Sequence, residues 1–60
     1  MSAPLTIGTR VRIVAPDPGT HGAIGRIIAA EPEWEHSLTV EFEDRHAMTD
    51  YFRPDEVEPL

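Results

Sequence analysis

His21, His36 and His46, together with eleven acidic residues, are the groups in this chain able to ligate a metal or move a proton. A metal site would need the histidines to converge with carboxylates such as Asp17 or Glu35. Each histidine instead falls in a different predicted loop, at spacings that match no ligand pattern, so scattered surface histidines and no bound metal or cofactor are the expectation. The carboxylates cluster in "EPEWE" (Glu31, Glu33, Glu35), "EFED" (Glu41, Glu43, Asp44) and "PDEVE" (Asp55, Glu56, Glu58). Acid–base catalysis requires two of them in a cleft with their pKa values pushed apart, and nothing in the pattern predicts a cleft. Ser2 and Ser37 are the only serines, both in predicted loops, and "GTHGAIG" lacks the lysine and helix of a phosphate-binding loop. The chain is not expected to be an enzyme.

Binding chemistry is better represented. Arg10, Arg12 and Arg26 should share the outer face of neighbouring strands. They could receive an acidic partner or a nucleic-acid backbone. They could equally pair with Glu41 and Glu43 on the next strand, and the excess of acids favours pairing. Asp17, Thr20 and His21 sit in a loop rich in proline and glycine. Trp34, between Glu33 and Glu35, is either an exposed contact anchor or a cover for one end of a small core. Tyr51 is predicted to point outward from a short strand.

The elements that would position these residues follow from alternation. "TRVRIVA" from Thr9 alternates Val11 and Ile13 with Arg10 and Arg12, the period of a half-buried strand. "PDPGTHG" breaks it with two prolines and two glycines. "AIGRIIAA" resumes a strand in which Gly25 faces inward and marks a bend or a close backbone approach. After the acidic loop "EPEWEHS", "LTVEFE" puts Leu38, Val40 and Phe42 on one face. "DRHAM" is the next turn, and "TDYFR" is a shorter strand with Phe52 inside. "PDE" reads as one 3₁₀ turn and "VEPL" as a last strand. The expected core is Val11, Ile13, Ile27, Ala29, Leu38, Val40, Phe42, Phe52 and Val57.

The prediction is a single all-β domain over 8–60 behind a flexible tail, 1–7. Five strands in so short a chain are most economically arranged as one bent sheet closing on itself, because closure removes exposed edges. A domain of 60 residues buries only about 60% of the surface its unfolded chain exposes. Its core is therefore small, and self-association is compatible with it. Without cysteine, disulfides and thiolate zinc sites are excluded. A formal charge of −6 works against non-specific nucleic-acid binding. No apolar run approaches the roughly 18 residues of a membrane span, and "MSAPLTIG" lacks the regions of a signal peptide, so a cytoplasmic protein is expected.

These residues resemble the SH3-like small β-barrels: "GTRVRIV", a loop, "HGAIGRII", an alternating strand carrying acids, then "FRPDEVEPL". Gly22, Gly25 and Ile27 fall on a G-x-x-G-x-[IV] pattern similar to the KOW motif of transcription and ribosomal proteins. The layout is also similar to the photosystem I subunit IV family, a ferredoxin-docking barrel. The resemblance spans about residues 8–60 and implies a five-stranded SH3-like barrel with one 3₁₀ turn before the last strand. It implies three kinds of role: nucleic-acid binding, protein docking and peptide recognition. RNA-binding KOW domains are basic, whereas this chain is acidic, and a peptide groove would have only Trp34 and Tyr51 for its aromatics. The leading expectation is a non-catalytic module that docks onto another protein in a larger assembly, through the 16–22 loop, the 31–37 loop and Tyr51. A KOW-like nucleic-acid-associated domain using Arg10, Arg12 and Arg26 is the alternative.

Overall fold

Alternation decides which face of each strand is buried. In β1 (Arg10–Ile13) Val11 and Ile13 are fully buried and both arginines exposed. β3 (Leu38–Phe42) buries Leu38, Val40 and Phe42 and leaves Thr39 and Glu41 half-exposed. In β4 (Thr49–Phe52) only Phe52 is buried, and Tyr51 points outward as predicted. β2 (Ile24–Ala30) is the longest strand, β5 (Val57–Pro59) the shortest, and Pro54–Glu56 forms the 3₁₀ turn between β4 and β5. These elements come from a computed structural model that describes residues 5–45 and 48–60. The expected loop position of His46 lies outside the described residues.

All five strands join one antiparallel sheet in the order β4-β3-β2-β1-β5. The sheet does not close: β4 and β5 are its two edges and are not paired with each other. That corrects the expectation of a sheet sealed on itself. It still wraps around its inner face, because Phe52 from one edge and Val57 from the other lie in the same buried cluster. The phenyl rings of Phe42 and Phe52 meet edge to face, centroids 6.1 Å apart at 86°, the geometry their quadrupoles favour.

The core contains eight of the nine expected residues; the exception is Ala29, which is half-exposed. The cause is a β-bulge. Ile27 pairs with Val40, but Ala29 pairs with Thr39, so Ile28 is the extra residue. One inserted residue shifts side-chain parity, and Ala29 moves from the inward set to the side of Thr39. Ala15 and Ala23, buried at the strand ends, complete the core. Leu5 also packs against it, partly buried, so the chain ahead of residue 8 contributes to packing.

Two glycines have conformational or steric reasons. Gly22 has φ +87°, a left-handed value that other L-residues adopt at a cost, and it turns the chain into β2. Gly25 lies where an added Cβ would collide with the Val40 side chain and the Glu41 backbone of the neighbouring β3, the close approach expected of an inward glycine. Among the described residues no helix is long and apolar enough to cross a membrane.

Candidate interaction site

The 16–22 loop holds itself in place. The Asp17 carboxylate accepts the Gly19 N–H at 2.8 Å, and the Asp17 carbonyl accepts those of Thr20 and His21 at 3.2 and 2.8 Å. His21 Nδ1 lies 2.9 Å from the Ala15 carbonyl, so that ring nitrogen is the protonated one in the bond. The Thr20 side chain is turned inward, with its hydroxyl buried and lacking a partner among the described residues. Arg45, from the β3–β4 turn, donates to the Gly19 carbonyl at 3.0 Å and lies 5.2 Å over the Phe42 ring. One carboxylate oxygen of Asp17 and Nδ1 of His21 are thus used locally while both residues stay exposed, and Thr20 is not presented to solvent.

On the outer face of the sheet, Arg10 and Arg26 stand directly opposite each other, and Arg26 faces Glu41 on its other side. Arg10 reaches across β2 to grip Glu43 with two bonds, Nε to Oε2 at 2.7 Å and Nη2 to Oε1 at 3.0 Å. This fork draws the Glu43 carboxyl below its ordinary value and raises the Arg10 guanidinium further above neutrality, the hydrogen bond being the larger cause in both. Arg12 is ion-paired with Glu58, its direct partner across β1 and β5. Of the five arginines, Arg26 alone has no carboxylate within 4.0 Å among the described residues. The three arginines share a face as expected, but two of them are occupied. The partner of Arg12 is Glu58, not Glu41 or Glu43, because register across β1 and β5 is a long-range property that local spacing does not encode.

The remaining candidates converge. Trp34 and Tyr51, from different elements, line one recess of about 110 Å³ with Glu31, His36, Ser37 and Thr39. The 31–37 loop is pinned at its base by the Glu31 N–H on the Ser37 carbonyl at 2.7 Å, and the Trp34 N–H bonds to the Glu31 carbonyl at 3.0 Å. Tyr51 pairs with Thr39 across β4 and β3, which puts both on the outward side of the sheet. Trp34 is 64% exposed and Tyr51 60%. Trp34 therefore does not cover the core. Sequence reasoning singled out the 31–37 loop, which supplies Glu31, Trp34, His36 and Ser37, and Tyr51, but missed Thr39. Thr39 could have been found from the alternation that places it beside an outward Tyr51. Among the described residues no three histidine or acidic side chains gather closely enough to hold a metal ion.

The architecture is that of a small, barrel-like antiparallel β-protein. Its fold is similar to that of the Bacillus subtilis protein YorP, known from an NMR structure, with a TM-score of 0.76 at 23% identity, over 100% of this chain and 74% of that one. At that identity the likeness is one of fold. No family model and no curated protein sequence matches the chain.

Proposed function

We propose that this chain is a non-catalytic protein-interaction module, an SH3-like small barrel that docks onto another cytoplasmic protein within a larger assembly. The observation that carries the reading is the exposure of Trp34 and Tyr51 on one recess. A chain this short has little apolar surface to spare from its core, yet its only tryptophan and only tyrosine face solvent together. Tryptophan and tyrosine are the residues most enriched at interaction hot spots. The 16–22 loop contributes its exposed rim, Asp17 and His21, as a secondary contact.

A KOW-like nucleic-acid-associated domain is the second reading, favoured by Arg26, which has no carboxylate partner among the described residues. Binding to a phosphate backbone needs several free cations, and pairing leaves this face with few. Affinity capture with the wild-type chain and with the Trp34→Ala/Tyr51→Ala double variant tests the first reading. Proteins retained by the wild type should be lost from the double variant, whose amide spectrum stays that of the folded protein. Equal capture by both overturns the docking role. Titration with RNA and DNA tests the second: micromolar shifts at Arg10, Arg12 and Arg26 that vanish steeply with salt would move the assignment to nucleic acid.

A further inference from the structure

We propose that the Trp34–Tyr51 recess receives the cationic head of a lysine or arginine from a basic segment of the partner. The inference rests on the docking role proposed above and specifies its chemistry. Trp34 and Tyr51 both line the recess, and the face of an aromatic ring attracts a cation through its quadrupole, tryptophan most strongly. The other residues lining the recess are the acidic Glu31, the imidazole-bearing His36 and the hydroxyl-bearing Ser37 and Thr39. An ammonium or guanidinium donates hydrogen bonds, and carboxylates and hydroxyls accept them.

Charge around the recess is left uncompensated. Glu33 and Glu35 flank Trp34 in the same loop. None of Glu31, Glu33 and Glu35 has a basic partner within 4.0 Å among the described residues. The arginines are elsewhere: Arg10 and Arg12 on β1, Arg26 on β2, Arg45 in the β3–β4 turn and Arg53 beside Asp55, and none lines the recess. Those three carboxylates are thus without an ion-pair partner among the described residues, whereas Glu43, Glu58 and Asp55 on other parts of the surface each have one. At about 110 Å³ the recess is well below the roughly 300–1,000 Å³ of small-molecule pockets and suits one side-chain head. A formal charge of −6 adds long-range attraction for a basic segment.

Three short peptides of identical backbone test this, carrying at the central position lysine, arginine, or Nε-acetyl-lysine, which keeps the stem and removes the charge. Binding to the wild-type chain is read from Trp34 fluorescence and from the amide shifts of Trp34 and Tyr51. The lysine and arginine peptides are expected to bind saturably, with the acetyl-lysine peptide about tenfold weaker and the difference shrinking in high salt. Glu31→Gln should weaken the charged peptides and leave the acetylated one unchanged. Equal binding of all three peptides, or shifts centred away from Trp34 and Tyr51, overturns the cation assignment. The peptide series needs no variant, so it decides even if Glu31→Gln fails to fold. If capture of a partner depends on Trp34 and Tyr51 while all three peptides bind alike, docking stands and the cation chemistry falls. If the charged peptides bind selectively while the double variant captures the same proteins as the wild type, the docking role falls instead.

Discussion

A methyl group added at Gly25 would stand 2.5 Å from Val40 Cγ1 and 2.7 Å from the Glu41 carbonyl oxygen. The second of these is backbone, so relief requires β2 and β3 to separate where they pair most extensively. Gly25→Ala should lower stability by about 1–3 kcal/mol, the cost of overpacking a filled interior. Urea denaturation would measure it, and a loss under about 0.5 kcal/mol would mean the strands yield more easily than their packing implies. Charge at single residues follows a similar local logic. The Glu43 carboxyl is held below its ordinary value chiefly by the Arg10 hydrogen bonds. Because the folded state ionises Glu43 at lower pH than the unfolded state does, the pair's contribution is fully present above the ordinary carboxylate range. It is lost as pH falls through the folded value. In Arg10→Gln the Glu43 carboxyl should titrate higher than in the wild type, as followed by carbon-detected NMR. An unchanged midpoint would show that the fork does not persist in solution.

At the scale of elements, the open sheet raises the question of what protects its edges. The Phe42 N–H donates to the Met48 carbonyl at 2.9 Å, one register step beyond Glu41 and Thr49. Antiparallel pairing alternates, so the backbone groups of Thr49 and Tyr51 face away from β3. The Tyr51 N–H is not left free, because the Asp50 carboxylate accepts it at 2.8 Å. On the other edge, bonds from Leu60 N–H to the Arg10 carbonyl and from Val14 N–H to the Glu56 carbonyl leave the backbone groups of Val57 and Pro59 facing away from β1, and proline has no N–H to offer. Each edge therefore loses a donor to a local device. Asp50→Ala should release the Tyr51 amide, seen as faster hydrogen exchange at that residue, with self-association rising at high concentration. Unchanged exchange would show that Asp50 does not guard the edge. Strand positions and faces were legible in the sequence because Leu38, Val40 and Phe42, or Val11 and Ile13, alternate cleanly with polar neighbours. The bulge at Ile28 was not, since "RIIAA" has no polar residue after Arg26 to reveal a parity change. Nor was the open edge, which depends on how far β4 and β5 travel around the core. The aromatics of the site were visible as residue types, but their meeting required β4 to pair with β3 in the observed register.

Among the described residues the fold rests on one cluster of ten buried apolar side chains, fed by every strand. Ile27 is completely buried and sits on β2, the middle strand of the sheet. Its loss leaves a cavity that strands hydrogen-bonded on both sides of β2 have little freedom to collapse, and Ile→Ala at such a site costs about 2–5 kcal/mol. Domains are stable by roughly 0.05–0.15 kcal/mol per residue, or about 3–9 kcal/mol for a chain of this length. Ile27→Ala should therefore remove a large share of the molecule's stability, read as a denaturation midpoint moved well below that of the wild type. Trp34→Ala, which removes a larger side chain from an exposed loop, should change stability by no more than about 0.5 kcal/mol. Chemical denaturation of the two variants side by side separates the residues that hold the fold from those it carries outward. If Trp34→Ala proved as damaging as Ile27→Ala, the tryptophan would belong to the core, and the recess would lose its standing as a surface built for a partner.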